Sequence, residues 1–138
     1  MKNKKDVIKQ VVDYIEENLE EEINLDKIAK NAGYSKFYLN RVFTEQTGLT
    51  IHKYLKNRRL SAAAEKLVRT DKTITQIALE AGYDSQQAFS FAFKQVYRYP
   101  PKVYRNMGIF APGQDRISLR GCSAGYGLST LKVKEMAA

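Results

Sequence analysis

Residues 28–43 read IAKNAGYSKFYLNRVF, and residues 77–93 read IALEAGYDSQQAFSFAF, the same frame returning about 49 positions later with one additional residue in its middle. Ala29 and Gly33 correspond to Ala78 and Gly82. Two helices joined by a turn of three to four residues need a small side chain where the second helix crosses the first. They also need a residue that accepts positive φ in the turn, and glycine does so without a Cβ penalty. Apolar residues recur at helical spacing around each pair. They are Ile28, Ala32, Leu39, Val42 and Phe43 in the first copy, and Ile77, Ala81, Phe89, Ala92 and Phe93 in the second. One Ala-Gly pair is weak evidence; two copies with the same apolar frame read as two helix-turn-helix units.

The rest of the chain continues the helical pattern. Val7, Val11, Val12, Ile15 and Leu19 repeat at three and four, and Asn24 is placed to cap a short helix from Leu25 to Ala32. Ser35 caps a helix to about Thr47 that Gly48 closes. Thr50 starts another that continues to about Val68; at 1.5 Å per residue it is roughly 28 Å long. Thr73 caps a short helix to Ala81, Ser85 opens one to about Tyr97, and Pro100-Pro101 begins a last turn or helix through Arg105. After Asn106 the pattern dissolves: glycines and Pro112-Gly113 interrupt residues 107–127, and LSTLKVKEM alternates weakly, as a short strand does. The expected fold is all-α. It has two helix-turn-helix subdomains, about seven helices in all, joined by a long central helix and followed by an irregular C-terminal tail. The expected boundaries are 1–49, 50–69 for the linker helix, 70–106, and 107–138 for the tail.

Composition narrows the functional classes. The 138 residues, 43% of them hydrophobic, suffice for one compact domain or two very small ones sharing a helix. No apolar run nears the roughly 20 residues of a membrane span, and MKNKKDV lacks a secretory core, so a soluble cytoplasmic protein without membrane partners is expected. With one cysteine, Cys122, and one histidine, His52, neither an internal disulfide nor a multi-cysteine zinc site can form, and no metal or cofactor is expected. The net charge of +8 is uneven: residues 1–25 carry −3, residues 26–70 carry +7, and the two segments after them +2 each. The basic block coincides with the first helix-turn-helix, which suits a polyanion, nucleic acid before membrane.

With Leu39, Val42 and Phe43 pointing inward, the opposite stripe of that helix is Phe37, Asn40, Arg41 and Thr44, with Lys36 beside it. These are side chains that read base edges. Arginine bonds guanine through two donors, asparagine does the same for adenine, and an exposed aromatic covers a thymine methyl. Ser35 offers a hydroxyl and a helix N-terminus to phosphate. The bland reading is a solvated stripe with Phe37 as a peripheral core residue.

Four stretches carry a resemblance to a known family: AGYSKFYLNRVFTEQTG, RRLSAAAEKL of the long helix, IALEAGYDSQQAFSFAFKQ and the ending YPPKVYR. Together they resemble the DNA-binding region of AraC/XylS bacterial transcription activators, and most of all the small stress and multidrug subgroup, over roughly residues 6–106. The resemblance implies a monomer on double-stranded promoter DNA, with two recognition helices in successive major grooves, and activation through contact with RNA polymerase. It assigns base reading to Phe37, where the subgroup usually has tryptophan, and to Tyr38, Asn40 in place of glutamine, and Arg41. In the second helix it assigns Ser85, Gln86, Gln87 and Ser90. Phe91 departs from the subgroup's common arginine, on the stripe it shares with Gln87, Ser90 and Lys94. Either the ring packs on thymine methyls, or that half of the site is read loosely.

For the tail two readings stand. It is the truncated start of a ligand-sensing domain with a β-rich core, as in some relatives, or the flexible end of a stand-alone activator. Enzymatic chemistry finds no support, because there is no phosphate-cradling loop and no nucleophile–histidine set, and the acidic run Glu16 to Glu22 reads as solvated. The rival to DNA binding is a helical protein-interaction module that docks through the acidic first helix.

Overall fold

The computed structural model describes residues 3–110, and within them every regular element is a helix. The tail features, from Pro112-Gly113 through Cys122 to LSTLKVKEM, lie outside the described residues. Seven helices follow in order: α1 Lys4–Glu17, α2 Leu25–Ala32, α3 Lys36–Thr47, α4 Ile51–Arg69, α5 Ile74–Glu80, α6 Gln86–Tyr97 and α7 Pro101–Met107. None of them is long and apolar enough to cross a membrane.

Side-chain caps set the starts. Asn3, Asn24, Ser35, Thr50, Thr73 and Ser85 each accept a hydrogen bond from the backbone N–H three residues on, a donor that the first turn leaves without a helical partner. α7 begins instead on Pro101, whose missing N–H is one the first turn could not use. Gly33 and Gly82 adopt φ of 80° and 87° in the two interhelical turns, the left-handed conformation expected of them. α7 differs from expectation, running two residues past Arg105 to Met107 because the left-handed closing residue is Gly108. α6 ends at Tyr97 as expected, and Arg98 closes it at φ 69° where no glycine stands.

Two cores form, and α4 belongs to both. The first gathers Val7, Ile8 and Ile15 of α1, Ile28 of α2 and Leu39 and Phe43 of α3 around Ile51 and Tyr54 at the start of α4. The second gathers Leu60, Ala64 and Leu67 from the rest of α4 with Ile77, Phe89, Phe93 and Tyr104. The central helix is therefore more than a connector: its first turn completes one unit, and its last three open the other. The repeat accordingly extends beyond the helix-turn-helix. Phe43 meets Tyr54 at 5.5 Å between ring centroids, and fifty residues on Phe93 meets Tyr104 at 5.2 Å.

Polar bonds fasten the middle of α4 on both sides. Arg58 donates Nε and Nη2 to the two oxygens of Glu16, both at 2.9 Å, in a largely buried fork. Arg59 donates to the carbonyls of Leu19 and Glu21, and Lys66 to Glu20 at 3.0 Å and Glu80 at 2.8 Å. The acidic run expected to be solvated is thus partly structural, because Glu16 and Glu20 hold α1 and its following loop onto α4. The Lys66 hydrogen bond, with help from Lys72 and against burial, keeps the Glu80 carboxyl below its ordinary range. Burial alone would lower Lys66, but its bonds to Glu80 and Glu20 outweigh it and raise the ammonium.

Candidate nucleic-acid interface

Packing decides which face α3 and α6 present. Leu39, Val42 and Phe43 are buried on α3, as are Phe89, Ala92 and Phe93 on α6, so the residues between them on each helix face outward. Phe37 is 81% exposed, which excludes the peripheral-core reading, and Arg41, Thr44 and Lys36 are exposed with it. On α6, Gln86, Gln87, Phe91 and Lys94 are exposed, Phe91 at 70%, while Ser85 and Ser90 are half-buried.

The local partners give the expected site residues different capacities. Arg41 is exposed and holds its guanidinium 5.7 Å from the Tyr38 ring centroid, a cation–π distance. Tyr38 is itself half-buried against the first core, 5.1 Å from Tyr34, so it supports the stripe from beneath. Lys36 meets Asp26 at 3.1 Å in an exposed pair that contributes little to stability and yields readily to a competing phosphate. Ser35 and Ser85 accept from the N–H of Tyr38 and Ala88, both at 3.1 Å; their hydroxyl hydrogens and the first N–H groups of α3 and α6 are what an anion would meet.

Asn40 is engaged in a way the sequence did not reveal. Its Oδ1 accepts the backbone N–H of Ile51 at 3.0 Å, satisfying the first donor of α4. An asparagine that reads adenine uses its oxygen and amide together. With the oxygen already accepting one bond and the side chain half-buried, the amide hydrogens and the oxygen's second lone pair are what Asn40 has left for a contact outside. Gln86 is similarly drawn toward α5, accepting from the Thr75 hydroxyl at 2.8 Å.

The basic block also divides. Arg58, Arg59 and Lys66 serve the interior network, whereas Lys53 and Lys56 are exposed near the start of α4 and add positive charge close to α3. The cluster HKYLKNRR was the sequence signal for them, but nothing in it separated outward lysines from inward arginines.

A family model described as a helix-turn-helix domain matches residues 28–107. The transposon Tn10 TetD protein of Escherichia coli is 46% identical over 99 residues, covering 72% of each chain. Regulatory protein SoxS of Salmonella typhimurium is 39% identical over 100 residues, covering 72% of this chain and 94% of SoxS. Among solved structures, a transcriptional regulator of the AraC-type DNA-binding class from Chromobacterium violaceum has a TM-score of 0.71 at 31% identity, over 75% of this chain and 93% of that one. The DNA-binding domain of AdpA, a global transcriptional factor solved with a target DNA, has a TM-score of 0.68 at 25% identity, over 72% and 90% of the two chains. A matched helix-turn-helix model, close regulatory relatives and a shared tertiary structure agree with the two outward stripes: the chain belongs to the AraC family of helix-turn-helix DNA-binding transcriptional regulators.

Proposed function

We propose that the chain binds double-stranded promoter DNA as a monomer in the bacterial cytoplasm, at the nucleoid, with α3 and α6 in two successive major grooves, and that it activates transcription by engaging RNA polymerase. The observation that carries this reading is the pair of exposed stripes, one on each turn-following helix, each backed by its own core. The length of α4, about 28 Å at 1.5 Å per residue, is compatible with grooves that repeat every ~34 Å. Arg41 and Gln87 are the polar base readers, Phe37 and Phe91 the apolar ones, and Thr44 and Ser90 lesser contacts. Ser35, Ser85, Lys36, Lys94, Lys53 and Lys56 serve the phosphates.

Selection of bound fragments from random duplex DNA, followed by footprinting, tests the assignment. Two half-elements about 10 base pairs apart, protected by one protein copy, are expected. A single protected element, or two copies on one site, would overturn the bipartite monomer. Transcription from a promoter carrying the selected site, with purified polymerase, decides the activator role: increased transcript supports it, and a decrease makes the protein a repressor.

A further inference from the structure

The two stripes carry the same kinds of side chain in opposite order. On α3, Phe37 stands one turn before Arg41; on α6, Gln87 stands one turn before Phe91. In the alignment of the two units Phe37 matches Gln87, and Arg41 matches Phe91. Each helix therefore presents one ring and one side chain that forms paired hydrogen bonds, spaced i to i+4.

The rings are held in water. Phe37 is 81% exposed and Phe91 70%, so neither contributes much to a core. Along its stripe Phe91 has Gln87, Ser90 and Lys94 as neighbours, and Phe37 has Lys36, Arg41 and Asn40. A ring surrounded by amides and cations on its helix does not make the continuous apolar patch that a protein interface centres on. A major groove suits it better, because there the thymine methyl is the one apolar group among donors and acceptors.

Resting on the DNA-reading assignment above, we infer that Phe37 and Phe91 are specificity-determining residues that read thymine methyls, one in each half-element. Beside its thymine, the first half-element places a guanine against Arg41 and the second an adenine against Gln87, and the order of ring and polar reader is reversed between them. Residues i and i+4 lie about 6 Å apart along a helix, so thymine and purine fall within about two base steps of ~3.4 Å.

The test is a deoxyuridine scan of the selected duplex, which removes one thymine methyl at a time, read with the full chain and with Phe37→Ala and Phe91→Ala. One thymine in each half-element should respond, the affinity of the full chain falling about threefold to fivefold on loss of the methyl. Phe91→Ala should abolish the response in the second half-element alone, and Phe37→Ala in the first alone, with both variants melting as the parent does. A second half-element without a responsive thymine, or a response that survives Phe91→Ala, overturns the inference while leaving DNA binding intact. A melting temperature lowered by many degrees in Phe91→Ala overturns it also, since the ring would then be a core residue. Failure of the DNA-reading assignment looks different: no duplex is enriched from the random pool at all.

Discussion

In the first unit Asn40 holds the N–H of Ile51 at the start of α4; in the second the corresponding residues are Ser90 and Pro101, and proline has no N–H to hold. The same helix start is satisfied once by a side chain and once by removing the donor. Closure of the recognition helix differs as well, through Gly48 at φ 80° in the first unit and Arg98 at φ 69° in the second. In both units an arginine from the last helix donates to backbone carbonyls at or just beyond the end of the first. Arg59 reaches Leu19 and Glu21, and Arg105 reaches Leu67, Thr70 and Lys72. Duplicated structure thus fixes the functions that must be performed, and leaves open which side chain performs them. The difference bears on recognition: α3 gives one stripe residue to its own scaffold, and α6 keeps Ser90 clear of that duty.

The two interhelical turns give the largest expected contrast. Valine at either glycine is strained, because a β-branched residue resists positive φ, at a cost of about 1–2 kcal/mol. A side chain at Gly33 would meet nothing within 4 Å, whereas a Cβ at Gly82 would stand 2.7 Å from Nη1 of Arg59. That guanidinium is held by two carbonyls and cannot simply swing away. Gly82→Val should therefore cost about 3 kcal/mol against about 1–2 for Gly33→Val by denaturant unfolding. In an Arg59→Ala background the gap should narrow. Equal losses in the parent would mean that Arg59 is loose in solution.

Arg41 is the next test, since it is the polar reader of α3 and Gln87 that of α6. Arg41→Ala should weaken binding to the selected site by about 2 kcal/mol, and binding to unrelated duplex far less. Gln87→Ala should relax the preference in the other half-element. Competition binding with the selected site, its half-element variants and unrelated duplex measures both, and equal losses on specific and unrelated DNA would make Arg41 a phosphate clamp.

Much of this architecture could be read in advance, and the physical reason is locality. Caps such as Ser35 and Ser85 act three residues away, and the buried and exposed faces of α3 and α6 follow from a 3.6-residue period. What escaped were contacts between distant residues. The Asn40 bond spans 11 residues and the Arg58–Glu16 fork 42, and neither leaves a period in the sequence. Hence Asn40 read as a plain member of the stripe and Glu16 as part of a solvated run. Tyr54 and Tyr104 could have been found by carrying the repeat alignment past Gly48 to IHKY and PKVY.

Asn40 and Ser90 measure how far the scaffold constrains the stripe. Asn40→Ala leaves the Ile51 N–H without its acceptor and should destabilise the protein by about 1 kcal/mol. Ser90→Ala has no such donor to orphan, and should stay within about 0.5 kcal/mol of the parent. Thermal melting of the two variants side by side is sufficient. Similar losses would show that the difference between Ile51 and Pro101 has no energetic consequence.

Lys66 joins the units through Glu20 of the first and Glu80 of the second, and acid tests the bond to Glu80. Glu80, with a side chain 18% exposed, has its pKa held below the ordinary value of 4.5 by Lys66 and Lys72, whereas Glu20 is 57% exposed. A depressed carboxyl stabilises the fold above its unfolded pKa, and the contribution is lost as pH falls through the folded one. The melting temperature should therefore fall between about pH 5 and 3. Glu80→Gln should flatten that slope. A slope unchanged in Glu80→Gln would mean that Lys66 and Lys72 do not hold the Glu80 carboxylate in solution.

The smallest effect concerns the two helix ends, Gly48 and Arg98. A residue with a Cβ in the left-handed region carries a penalty of roughly 1 kcal/mol. Glycine relieves that penalty, but the unfolded chain also gains freedom and takes back part of the gain. Arg98→Gly should thus stabilise the fold by only about 0.5 kcal/mol. Gly48→Arg, the converse change, carries the same two contributions with opposite sign and should destabilise by about 0.5 kcal/mol. Opposite signs of similar size are what denaturant unfolding has to resolve. If Arg98→Gly is instead destabilising, the arginine side chain supplies a contact that outweighs its backbone strain, and the second unit closes α6 through that contact despite the strain.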